Sequence, residues 1–328
     1  MARSLRADLH AHPGRCFLAG LPGDDAQVRV MGGSQLDAAQ ADLREGGMGL
    51  VSFATVSDLR VLGLRESGLY AQRAFEPGEA WADHVRQVEA LRDFSARDGV
   101  RLVLTPDDLE RAQQEGALGL LATCEGADFL EGSLDKLACA HADGVRSITL
   151  VHYRVNELGD IQTESPVHGG LTPFGADVVR EMNRLRMVVD LAHATWDVTR
   201  DVLDRSSHPV MISHSHLASG PESHPRLLSH EHARAVARDG GLIGAWPSGV
   251  RCESFDDFLD EILRLVDLLG AGAVAIGTDM DGNYKPVVTR YAQYPDLATG
   301  LSERGLSVEE VDGLLGGNFE RLFREVAG

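Results

Sequence analysis

Lysine is nearly missing from this chain: Lys136 and Lys285 are the only two among 31 basic residues. Arginine supplies the rest, and 50 acidic residues leave a formal net charge of -19. Nucleic acid and anionic membrane surfaces both demand a basic face, so neither is expected as a partner. Cysteine is scarce as well. Four residues without C-x-x-C spacing exclude a thiolate zinc knuckle and argue against a disulfide framework. No apolar run approaches the roughly 20 residues of a transmembrane helix. The first one, Leu5–Leu9, is too short for a secretory leader, so the expected location is cytoplasmic. Linkers rich in Pro, Gly or Ser and internal repeats are also lacking, which makes one domain over residues 1–328 the economical reading.

What the sequence does contain is a regular alternation of short apolar runs and amphipathic stretches. Candidate strands are Leu5–His10, Met48–Ala54, Leu118–Thr123, Arg146–Val151, Met187–Leu191, Val210–Ser213, Leu242–Ala245 and Ala273–Gly277. Several are continuously apolar, as expected when both faces of a parallel strand are buried. Helices are predicted over Pro173–Leu185, after the N-cap candidate Thr172, over Ser254–Leu269 and over Trp81–Arg97. Another spans Ser307–Val326, interrupted near Gly316-Gly317. Strand–helix alternation of this kind predicts an α/β fold, a (β/α)8 TIM-like barrel with extra loops and C-terminal helices.

Barrel enzymes place their chemistry at the C-terminal ends of the strands. Six of the eight predicted strands end there in an imidazole or a carboxylate: His10 with His12, Glu125, His152, His193, His214 with His216, and Asp279. Taken singly, each is an ordinary loop histidine, capping carboxylate or turn aspartate. Together they would leave many titratable groups at the ends of buried strands, a cost that a shared metal site removes. Imidazole and carboxylate without thiolate suit Zn, with Mn, Fe, Co or Ni as alternatives. The ligands outnumber what one tetrahedral ion needs, so two divalent ions are expected, with Glu125 able to bridge them. Asp8, Asp190 and Asp281 are expected to orient the ligating imidazoles. His84 and His141 are placed on helices, and His208, His230 and His232 read as solvated.

The motifs carry a family resemblance. Gly170-Leu171-Thr172-Pro173-Phe174-Gly175, Val189-Asp190-Leu191-Ala192-His193, Met211-Ile212-Ser213-His214-Ser215, His224-Pro225-Arg226 and Gly277-Thr278-Asp279-Met280-Asp281-Gly282 occur in order, followed by Gly317-Asn318-Phe319. In these the chain resembles the membrane dipeptidase (renal dipeptidase) family of zinc metallopeptidases, an amidohydrolase-type barrel, from about Leu118 onward. The resemblance implies a binuclear zinc site that cleaves dipeptides, including those with a D-residue at the C-terminal position, by a metal-bridging hydroxide. It implies that Glu125 bridges, that His193 and His214 serve one ion, and that His10 and its pair His12 serve the other. It further implies that His152 steadies the oxyanion, that Asp279 passes the proton, that Arg226 holds the substrate carboxylate and that Asn156 lies in a loop near the substrate. A homodimer is compatible with it.

Position 12 departs from the pattern, because the family usually carries His-x-Asp there. A neutral imidazole in place of a carboxylate leaves the metal pair one unit more positive, so weaker holding of the second ion is expected. The segment Gly14–Asp25 departs too. Two alternative readings therefore stay open: an amidohydrolase-type enzyme acting on N-acyl amino acids, lactams or another specialised amide, and a catalytically inactive metal-binding protein.

Overall fold

The apolar runs extend and pair in parallel because each is buried on both faces. In the computed structural model, which describes residues 4–66, 68–220 and 222–328, they form β1 (Ala7–Ala11), β2 (Leu50–Val56), β3 (Leu118–Glu125) and β4 (Val145–Thr149). The second half supplies β5 (Val188–Asp190), β6 (Met211–Ser215), β7 (Leu242–Ala245) and β8 (Val274–Ile276). Their order around the sheet is their order in the chain. The circle closes just beyond β8, where the Asp279 amide donates to the His10 carbonyl and the His12 amide to the Met280 carbonyl, both at 2.8 Å. The expected barrel is present, with helices around it. A short strand, Val100–Leu102, pairs with β3, and a two-stranded hairpin, Leu62–Arg65 with Gly68–Ala71, was not anticipated.

The helices begin where capping chemistry dictates. Thr172 accepts a hydrogen bond from the Gly175 amide, and Pro173 occupies the first turn of Pro173–Arg184. Ser254 and Asp257 form a reciprocal capping box on Phe255–Leu269. The C-terminal stretch is broken as expected: Val308–Asp312, a turn over Gly313–Gly317, then Asn318–Ala327. Phe319, Leu322, Phe323 and Val326 of this last helix pack with Ala7, Leu9, Leu50, Leu121, Val188, Met211, Leu242 and Ala275. An apolar floor thus seals one end of the barrel, and the polar residues gather at the other. No described helix is long and apolar enough to cross a membrane.

Two strands carry an extra residue just where a ligating histidine is needed. Between Asp8 and Ala11, β1 advances three residues while β2 advances two, and between Ile212 and Ser215, β6 does the same against β7. Strand side chains alternate, so an inserted residue resets which face follows. Ala7 and Leu9 therefore pack into the floor while His10 and His12 still reach the site on the same side. Met211 and His214 are related in the same way.

Candidate metal centre

Glu125, the last residue of β3, is the hub. Its Oε1 lies 3.3 Å from His10 Nε2, 3.1 Å from His193 Nε2 and 3.6 Å from His214 Nε2. Its Oε2 lies 3.3 Å from both His12 Nε2 and His152 Nε2. Asp279 Oδ1 reaches His12 Nε2 at 3.4 Å. All seven side chains are buried and come from the ends of six different strands.

Ordinary hydrogen bonding does not account for this convergence. His193 and His214 turn their Nε2 atoms toward each other at 3.1 Å, and His10 Nε2 has no hydrogen-bond partner. Nδ1 of His12 donates to the Ala54 carbonyl at 2.8 Å, so the neutral ring presents its Nε2 lone pair to the cluster. Leaving a buried polar atom unpaired costs roughly 1–3 kcal/mol, and several occur here at once. Three overlapping ligand groups fit a divalent ion: His10 with His12 and Asp279, His10 with Glu125 and His214, and Glu125 with His152 and His193. The residues present thus suit two adjacent ions.

The electrostatics agree with the geometry. Burial alone would raise the Glu125 carboxyl, but the imidazoles of His152 and His10 hold it well below the usual carboxylate range. Burial works against a charge on His12, yet Asp279, Cys16 and Glu125 lift it well above an ordinary histidine. His193 and His214 go the other way, pushed well down by burial and by positive neighbours including Arg226. His152 differs again. Its Nδ1 meets Asp58 Oδ1 at 2.7 Å, and the charges of Asp58 and Glu125 outweigh burial to raise it to about 9.

Backbone strain concentrates at the same rim. His193, Asp279 and Asp281 have φ of 66°, 52° and 65°, a region costing about 1–3 kcal/mol for such residues. Gly282 is fixed by close approach, since a Cβ there would lie 2.6 Å from the His12 ring and 2.7 Å from Asp279 Oδ1.

Beside the cluster stands Arg226, 1% exposed, with its guanidinium carbon 5.3 Å from the centre of the Trp246 ring. Nη1 donates to Gln162 Oε1 at 2.7 Å, whereas Nε and Nη2 are buried without partners.

A family model, membrane dipeptidase (peptidase family M19), matches residues 8–328. The chain belongs to this family. It is 32% identical over 262 residues to dipeptidase tcpJ of Claviceps purpurea, covering 74% of this chain and 60% of that protein. Against dipeptidase aclJ of Aspergillus oryzae the identity is 32% over 288 residues, covering 81% of this chain and 67% of the relative. The match to tcpJ therefore spans less than two thirds of that relative's length. A metallo peptidase from Rhodobacter sphaeroides, solved with a phosphinate mimic of the dipeptide L-Ala-D-Ala, shares the fold at a TM-score of 0.80. It is 21% identical, with 98% of this chain and 99% of that one covered.

Within this M19 chain, the residues predicted as ligands meet at one point, and His152, Asp279 and Arg226 border it. Asn156 is buried, but its amide is spent on its own loop: Nδ2 donates to the Leu150 carbonyl and Oδ1 accepts from the Leu158 amide, both at 2.9 Å. It shapes the loop beside the site rather than offering a free amide. Asp8, Asp190 and Asp281, expected to orient imidazoles, instead brace backbone. Asp8 accepts from the His10 and Thr278 amides, Asp190 from those of Ala192 and Ser213, and Asp281 from that of Gly14. A carboxylate at a strand end serves the nearest unpaired N–H groups first. His232, read as solvated, is buried with Nε2 2.8 Å from Thr199 Oγ1. Sequence reasoning missed Asp58, Gln162 and Tyr153, whose ring centre lies 4.6 Å from that of His152 and 5.1 Å from that of His193. Asp58 sits two residues beyond β2, a strand whose end showed no imidazole, and that position was its only signal.

Proposed function

We propose that the protein hydrolyses the peptide bond of dipeptides at a binuclear metal site, with zinc the ion best suited to this imidazole and carboxylate donor set. The observation that carries the reading is the placement of a buried arginine with unpaired Nε and Nη2 beside the ligand cluster, a combination that suits a short substrate ending in a free carboxylate. His10, His12, Glu125, His193 and His214 would hold the ions. The ions, when bound, supply Lewis-acid polarisation of the scissile carbonyl and acidify the attacking water.

The chain's own groups do the rest. His152, kept cationic by Asp58, faces the charge that develops on the carbonyl oxygen. Asp279 takes the proton of the attacking water and returns it to the leaving amine. Arg226 fixes the substrate carboxylate and so the distance from that carboxylate to the scissile bond. Residues 1–328 would act as one domain.

The test is turnover of a mixed L,L- and L,D-dipeptide library, with metal content measured on the same sample. About two equivalents of metal, with hydrolysis abolished in Glu125→Gln, are expected. Two equivalents with no dipeptide cleaved would overturn the substrate class and move the search to N-acylated or cyclic amides. The same library reports whether a D-residue is accepted.

A further inference from the structure

Arg226 is the only arginine among the described residues that is buried. A buried arginine ordinarily pairs with a carboxylate, because an unpaired charge out of water is costly. This chain carries 50 acidic residues, yet none among those described forms an ion pair with Arg226. It donates to an uncharged amide, Gln162 Oε1 at 2.7 Å, and its other polar side-chain neighbour is the neutral Tyr153 phenol. Gln162 is itself held firmly. Its backbone N–H donates to the His193 carbonyl at 2.8 Å, and Ile161 bridges Ala194 in antiparallel fashion. The loop that follows is drawn together by Asp160, which accepts from the amides of Val167, His168 and Gly170. One residue therefore ties a ligating strand end to the guanidinium.

We propose that Gln162 is a positioning residue that sets specificity for a free C-terminal carboxylate. Its amide orients Arg226 by accepting one N–H, and its neutrality leaves the whole positive charge, with Nε and Nη2, for the substrate. A glutamate at the same position would orient the arginine equally well but would supply internally the charge the substrate must bring. The Trp246 ring lies against the guanidinium, and its Nε1 is also buried and unpartnered. This inference rests on the dipeptidase reading for its substrate but makes its own claim about recognition.

The experiment compares Ala-Ala with Ala-Ala amide as substrates of the metal-loaded enzyme. In parallel, a dipeptide phosphinate with a free carboxylate and its carboxamide counterpart are titrated calorimetrically. Wild type, Gln162→Glu and Gln162→Leu are measured. Wild type is expected to favour the carboxylate form. In Gln162→Glu that preference should fall at least about tenfold, the loss appearing mainly in KM rather than kcat. Gln162→Leu, which keeps the charge but loses its orientation, should fall less. A merely structural role would weaken carboxylate and amide alike, so an unchanged ratio in both variants overturns the proposal, as does a wild type without carboxylate preference. If wild type cleaves no dipeptide but binds the phosphinate with a Gln162-dependent carboxylate preference, the inference stands and the dipeptidase reading falls.

Discussion

The molecule buries two sets of histidines to the same depth and uses them in opposite ways. Around Glu125, His10, His12, His152, His193 and His214 face one another and a carboxylate. Elsewhere, His84, His216 and His232 are equally buried but stand apart. His84 lies flat on Phe129, with ring centres 4.0 Å apart, and beside Trp81. His216 bonds to the Trp246 carbonyl, and His232 contacts Thr199 and the Trp196 ring. Burial is the largest influence on all three and drives them down, to about 3, 4 and 4, so they are neutral packing groups. At the rim, charges compete with burial and push otherwise similar rings in opposite directions, His12 and His152 up, His193 and His214 down. Depth is therefore no mark of a ligand. Convergence on a shared carboxylate is.

The sharpest way to break this contrast is to delete one histidine from each set. His193→Leu should reduce bound metal to about one equivalent or less and cut kcat/KM by roughly a thousandfold or more, as the loss of a catalytic ligand does. His232→Leu should keep its metal and lose only about 1–2 kcal/mol of stability, the worth of a buried hydrogen bond. Metal analysis and thermal melts on both variants decide it. Equal metal loss in the two would erase the distinction.

Next in size is the departure at position 12. Asp restores a negative charge to the cluster at the expense of the His12–Ala54 hydrogen bond. His12→Asp should tighten the weaker metal site by about tenfold, about 1.4 kcal/mol, in a chelator competition titration. An unchanged or weaker site would mean that imidazole serves there as well as carboxylate.

Asp58 allows a finer cut within the rim. It stabilises the imidazolium of His152, which is raised to about 9 from 6.5. A charge required for turnover is lost as pH rises through that value, so an alkaline limb near pH 9 is expected in kcat/KM. Removing the carboxylate charge lowers the histidine, and in Asp58→Asn the limb should move to lower pH by about 1–2 units. A limb that stays in place would assign it to another group.

Much of this contrast was legible in the sequence, for reasons that differ by element. Several of the eight barrel strands showed themselves as continuous apolar runs because both their faces are buried, and the ligands showed themselves because they stand at the ends of the predicted strands. The hairpin at Leu62–Arg65 and Gly68–Ala71 gave no comparable signal, its residues being half-buried or exposed. Asp58 and Gln162 act on partners 94 and 64 residues away, so only folding joins them to His152 and Arg226. The extra residues in β1 and β6 leave no mark on composition, yet they decide which way His10 and His214 face. His232 was misread because Ser229, His230 and Glu231 precede it. The spacing of His232 and Val236 on one face of the helix His230–Arg238 held the better clue.

The smallest effect tests the packing histidines on their own ground. His84 Nε2 is buried without a partner, and the ring stacks as a phenyl ring would. At pH 7, where His84 is neutral in both folded and unfolded chains, His84→Phe should melt within about 1 kcal/mol of wild type. Acid separates them. The folded-state value is about 3 against 6.5, so the unfolded chain binds the extra proton first as pH falls. The stability His84 contributes is whole above about pH 6.5 and is lost progressively toward pH 3. At pH 5 this amounts to about 2 kcal/mol, from 1.36 kcal/mol per unit over the 1.5 units below 6.5. Phenylalanine binds no proton, so the variant should be the more stable protein at pH 5 by about that amount. Parallel denaturant titrations at pH 7 and pH 5 measure it. Equal acid sensitivity in the two proteins would mean that His84 finds a proton-stabilising partner in the folded state, and the line between packing and functional histidines would have to be redrawn.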